Sequence, residues 1–136
     1  MSVDKQLLEA KRWLATAAED LEAARLLADG GKHAHACFAA QQAGEKAVKA
    51  LWHLRGGDPW GHSVQRLLRD VAPPEVRVQL ADLLEDGAML DRHYIPTRYP
   101  NGLPDLTPGE AYFRRDADAC MEAAGRILDR ARTLIG

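Results

Sequence analysis

Residues 34–51 read AHACFAAQQAGEKAVKAL, and their composition admits only one regular structure. Alanine dominates, proline is absent and Val48 is the sole β-branched residue, so the segment is a helix. On a projection of about 100° per residue, Ala34, Phe38, Gln41, Glu45, Val48 and Trp52 fall within about 40° of one direction. Gln41 and Glu45 therefore lie in the middle of an apolar stripe. A carboxylate buried there is costly unless it is paired or hydrogen-bonded, so Glu45 requires a partner: Lys49 one turn on, an arginine from another helix, or a second subunit. Such a cluster either fixes helix register or lines a functional cleft. Beside the stripe, His35, Gln42, Lys46, Lys49 and His53 form a second ridge. Its spacing fits either phosphate donors on a rigid element or a solvated lysine face.

Working outward, Leu7, Leu14, Ala17, Ala18, Leu21, Ala24 and Ala28 recur at three- and four-residue steps, which predicts a long helix over Val3 to Asp29. Gly30-Gly31 ends it, and the second helix runs from about Lys32 to Arg55, where Gly56-Gly57-Asp58-Pro59 stops it. So short a connection makes the two helices antiparallel neighbours. A shorter helix fits Ser63 to Val71, and another starts at Pro73-Pro74-Glu75 and carries Val76, Leu80, Leu83, Leu84 and Leu90. The four prolines of HYIPTRYPNGLPDLTP make residues 91–108 irregular. Thr107-Pro108-Gly109-Glu110 then reads as a capping box opening a last amphipathic helix through Phe113, Ala117, Cys120, Met121, Ala124, Ile127, Leu128, Ala131 and Leu134. No segment alternates with period two for long enough to form a strand. The expectation is an all-α, up-and-down antiparallel bundle of four to five helices in a single domain, 1–136.

The 136 residues are 46% apolar and 28% charged, which excludes a disordered or fibrous chain. No apolar run reaches the roughly twenty residues that span a bilayer, so no membrane partner is expected. The opening MSVDKQLLEAKRW carries charges where a signal peptide needs an apolar core, which points to the cytoplasm. Cys37 and Cys120 lack paired spacing, so they are expected to be reduced, buried thiols with no metal. The net charge of −2 hides an asymmetry. Residues 32–69 hold six cations against Glu45 and Asp58, a surplus of +4 that leaves the rest at −6, and four of the five histidines share this segment. That balance suits a phosphate-bearing ligand.

The second helix, together with EDLEAARLL (19–27), the loop His62-Ser63-Val64 and the later turn Arg98-Tyr99-Pro100, resembles the HEPN domain family over nearly the whole chain. The resemblance implies a helical bundle that usually dimerises and often accompanies a minimal nucleotidyltransferase as its substrate-binding subunit. Nucleotide binding is proposed for the group, and many relatives are metal-independent RNases acting as toxins. Those RNases use an arginine followed after four to six residues by a histidine, with the two copies meeting across a dimer cleft. Here Arg98 stands where that arginine is expected, but Tyr99 to Asp105 contain no histidine. Arg55 and His62 have the spacing formally, in a loop the family does not use for catalysis.

Three readings follow. The first is a nucleotide- or RNA-binding module working with a nucleotidyltransferase partner, with a toxin–antitoxin system as one setting. In it Lys46, Lys49, Arg98, Tyr99 and His62 bind phosphate, and Gln41, Gln42 and Glu45 order them. The second is a metal-independent endoribonuclease in which Arg98 stabilises the pentavalent phosphate and a distant histidine, His62 or His93, moves the proton. The third is a dimeric scaffold without ligand. No cofactor is expected and no catalytic residue is assigned. Trp13, Trp52 and Trp60 are read as core or interface aromatics, and Met89 and Met121 as core filler.

Overall fold

The computed structural model describes residues 2–136, all helix, turn and loop. Helix α1 (Val3–Asp29) starts at Ser2, whose hydroxyl accepts from the Lys5 N–H at 3.2 Å. It ends in a turn where the Lys32 N–H donates to the Leu27 carbonyl at 2.8 Å. Helix α2 (His33–Leu54) returns along it. Two cross-contacts show the antiparallel register, Asp20 with Lys46 and, one segment earlier on α1, Trp13 with His53. The shared face is small: Ala17, Ala24 and Ala28 meet a second helix carrying Ala36, Ala40, Ala43 and Ala47, all buried. Small side chains bring the two axes close.

Helices α3 (Val64–Asp70), α4 (Pro74–Leu80) and α5 (Leu84–Asp91) follow, with a single 3₁₀ turn at Ala81–Leu83 between the last two. The apolar run expected as one helix is thus broken in the middle. Leu67, Leu68, Leu80, Leu83 and Leu90 are fully buried from this segment, each contributing about 1.5–3 kcal/mol of burial. Two glycines allow its close approach. A Cβ at Gly44 of α2 would stand 2.8 Å from Leu90 Cδ1, and one at Gly87 of α5 would stand 3.0 Å from the Gln65 backbone nitrogen.

The capping box at Thr107 forms, with the Glu110 N–H donating to the Thr107 hydroxyl at 3.2 Å, but it opens only α6 (Pro108–Ala111). The backbone is extended at Tyr112 and Phe113, and α7 (Arg114–Ile135) starts afresh, with the Asp116 carboxylate accepting from the Phe113 N–H at 2.8 Å. The helix expected to run on from Pro108 is therefore two helices. The break turns Tyr112 inward to meet His93 Nδ1 at 2.8 Å and leaves Phe113 exposed rather than on the apolar stripe. Ala117, Cys120, Ala124, Ile127 and Leu128 then pack α7 onto α1 and α2. Arginine–carboxylate forks, Arg126 to Asp86 and Arg130 to Asp82, tie α7 to the α4–α5 segment. Cys37 and Cys120 are buried free thiols, and Met89 and Met121 pack against the core.

Candidate functional site

Helix α2 delivers a row of polar groups to the end of the loop that precedes α3. Glu45, only 4% exposed, is the centre of the row. Its carboxylate takes Lys49 Nζ at 3.1 Å, Gln41 Nε2 at 3.2 Å and His62 Nδ1 at 3.3 Å. Gln41 Nε2 also donates to the His62 carbonyl at 3.2 Å, and Gln42 Nε2 donates to Gln41 Oε1 at 2.8 Å. Gln41, Gln42, Glu45, Lys49 and His62 are therefore one network. A carboxylate surrounded by an ammonium, an amide and an imidazole has the partners that its burial requires.

The other side of the site comes from the end of α5 and the turn after it. Asp91 closes the N-terminus of α3: its carboxylate accepts from the Ser63 hydroxyl at 2.7 Å, the Val64 N–H at 2.6 Å and the Gln65 N–H at 3.2 Å. This anchors the residue next to His62. The His62 ring lies nearly parallel to Tyr94, with centroids 4.8 Å apart, and its side chain is 57% exposed. The Arg98 guanidinium sits 4.4 Å from the same Tyr94 ring and 4.5 Å from Phe38, and its Nε donates to the Tyr94 carbonyl at 2.8 Å. Tyr99, half exposed, stands 5.3 Å from that guanidinium. His62, Ser63, Asp91 and Tyr94 line a shallow cavity of about 230 Å³.

Arg98, Tyr99 and His62 thus share one surface, joined through Tyr94. Lys49 reaches it only through Glu45, being 8% exposed and lying 6.0 Å from the Trp13 ring. Lys46 points elsewhere, pairing with Asp20 at 2.7 Å, and the eight residues separating it from Phe38 are about 12 Å along the helix axis. The two lysines of the α2 ridge are paired, Lys46 with Asp20 of α1 and Lys49 with Glu45 of α2 itself, so the ridge is not an open lysine face. His53 on that ridge stacks on Trp13 at 4.9 Å, and burial lowers its pKa below 6.5.

His93 is turned away into the interior, bonded to Tyr112, whose phenol burial pushes up to about 12. The neighbouring Cys120 and burial push the Cys37 thiol up as well. Of the core or interface places expected for Trp60, the core is excluded: it is 66% exposed. Among the described residues no group of three or more His, Cys, Asp or Glu is placed to hold a metal ion, and no helix is long and apolar enough to cross a membrane.

With this geometry established, the HEPN domain family model matches residues 10–134. The chain belongs to the HEPN domain family. Its similarity extends to TT1696 from Thermus thermophilus, a solved structure 40% identical that superposes with a TM-score of 0.81 over 92% of this chain and 97% of that one. ST0689, an archaeal HEPN homologue, is also 40% identical, with a TM-score of 0.78 over 94% of this chain and 98% of its own. A Methanocaldococcus jannaschii protein named "Putative toxin MJ1304" is 31% identical over 128 residues, covering 88% of this chain and 84% of that protein.

In this HEPN chain the sequence reading missed two members of the site. Asp91 carries no signal of its own, because an acidic residue at a helix end is common and its role depends on where α3 starts. Tyr94 is one aromatic residue in a proline-rich irregular segment, and its place as the ring between His62 and Arg98 needs the turn at residues 92–99 to be closed. That turn is fixed by Thr97, buried, whose hydroxyl donates to the His93 carbonyl at 2.6 Å.

Proposed function

We propose that this HEPN protein binds the phosphate of a nucleotide or RNA strand on the surface formed by Arg98, His62 and Tyr99, and that it works with a minimal nucleotidyltransferase partner in a toxin–antitoxin setting. The observation that carries the reading is that Arg98 and His62, thirty-six residues apart, pack on one ring while both stay open to solvent. A guanidinium held over aromatic rings with its Nε bonded to a carbonyl keeps its outer N–H groups for phosphate oxygens. An imidazole whose Nδ1 faces a carboxylate presents Nε2 outward in a fixed direction. In this reading Lys46 and Lys49 lie behind the site in neutral ion pairs with Asp20 and Glu45, while Gln41, Gln42 and Glu45 hold His62. The toxin-named relative supports the setting, and the family supports the kind of partner.

The Glu45–His62 contact also favours a second reading, metal-independent RNA cleavage, in which His62 Nε2 moves the proton and Arg98 stabilises the charged phosphorus centre. One experiment separates the two. The protein is titrated with ATP, GTP and a short single-stranded RNA in EDTA, and RNA integrity is read on a gel from the same tubes. Binding without cleavage that Arg98→Ala weakens by tenfold or more fits the binding module. Cleavage abolished by His62→Ala fits the nuclease, and binding unchanged by Arg98→Ala overturns the phosphate site in both.

A further inference from the structure

Two residues before His62, Trp60 exposes 66% of its surface while its backbone and one ring face are held in place. A single exposed apolar residue is ordinary on a protein surface, so the informative feature is how the loop holds this one. Trp60 is not free. Its N–H donates to the Asp58 carbonyl at 3.0 Å, and its own carbonyl accepts from the Arg66 guanidinium. That guanidinium stands 4.0 Å from the Trp60 ring and 5.7 Å from the Trp52 ring. The stack is rooted in the bundle, because Trp52 Nε1 donates to the Leu67 carbonyl at 3.0 Å. It is also tied to the phosphate surface: the Arg66 N–H donates to the Ser63 hydroxyl at 3.1 Å, and that hydroxyl donates to Asp91.

We infer that Trp60 is a stacking platform for an unpaired nucleobase whose phosphate lies at His62 and Arg98, an inference that rests on the phosphate-binding reading above. One indole face is backed by a cation and the rest is open, so a base can stack on it without any rearrangement of the loop. The backbone distance from Trp60 to His62 is no more than about 7 Å, so the two residues stand on the same short stretch of loop. Stacking of this kind accepts any base, because every base offers a π face. The platform therefore supplies affinity for single-stranded RNA or a free nucleotide and excludes a paired duplex, whose bases are covered.

The test uses anisotropy with a fluorescein-labelled adenylate pentanucleotide and with the matching abasic ribose-phosphate pentamer, and AMP as a competitor. Trp60→Ala is expected to weaken the pentanucleotide between about 5- and 100-fold and to leave the abasic strand within twofold. Trp60→Leu, which keeps apolar bulk in the loop without a π face, should behave like Trp60→Ala, and Trp60→Phe should stay within threefold of the parent. AMP competition that Trp60→Ala weakens in parallel identifies a nucleotide site, and competition only by the oligomer identifies an RNA site; both support the platform. If Trp60→Ala leaves the pentanucleotide unchanged while Arg98→Ala weakens both strands, the platform is overturned and the phosphate site stands. If the parent protein binds neither strand nor AMP, both are overturned.

Discussion

Glu45 and His62 meet at 3.3 Å across the junction of α2 with the loop before α3, and the carboxylate in this pair is the more deeply buried partner. The histidine is thus oriented from behind by a group that solvent hardly reaches, while its outer edge stays open. Lys49 and Gln41 complete the surroundings of the carboxylate, so the charge of Glu45 is balanced within α2 itself and does not depend on a bound ligand.

Removing that carboxylate leaves the Lys49 ammonium buried without a counter-charge. Glu45→Gln is expected to destabilise the fold by about 3 kcal/mol, and adding Lys49→Met should restore much of the loss, because the remaining pair is then uncharged. Urea denaturation of the single and double variants measures this, and a single-variant loss within 0.5 kcal/mol of zero, the range of ordinary surface changes, would show that the pair is not effectively buried.

A Cβ at Gly87 would stand 3.0 Å from the Gln65 backbone nitrogen, closer than ordinary contact, so the backbone of α3 would have to give way. Gly87→Ala should push α5 away from α3 and cost about 1–3 kcal/mol, despite the better helix propensity of alanine. A thermal melt that shifts upward instead would mean that the α3–α5 contact yields at no cost.

Asp91→Ala removes the acceptor for three donors at the start of α3. The loss should be about 1–2 kcal/mol, as for other helix N-terminal caps, with Asp91→Asn recovering part of it. Because Ser63 follows His62, hydrogen exchange at residues 62–65 should rise in Asp91→Ala more than exchange in α1. Equal protection at both places would detach Asp91 from the site.

Burial holds the His53 pKa below 6.5, so the unfolded chain takes up a proton at this residue at a higher pH than the folded one. Folding stability should therefore fall as the pH drops from about 6.5 through the lower folded value, and this contribution is flat above 6.5. Glu9 and Asp58 act against the shift, while Lys49 adds to it. In His53→Phe the decline between pH 7 and pH 5 should be shallower, with Trp13 fluorescence as the local probe of the stacked pair. Identical slopes in both proteins would remove His53 from the acid response.

Alanine-rich periodicity, absent proline and glycine-marked ends determined α1 and α2, because an amphipathic helix writes its buried face into the order of residues along one element. For the same reason the polar interruption at Gln41 and Glu45 was visible in the chain, and with it Lys49 as a partner one turn away. Arg98 was grouped with His62 as a candidate, but the sequence could not choose between His62 and His93 as its partner. The meeting of Arg98 and His62 on Tyr94, the exposure of Trp60, the diversion of Lys46 to Asp20 and the break at Tyr112–Phe113 were decided by packing between elements far apart in sequence. Periodicity reports which face of a helix is buried, but not which neighbour covers it. A cation's availability to a ligand depends on that neighbour's charge, and here α1 supplies the carboxylate that takes Lys46 while the turn after α5 supplies none to Arg98.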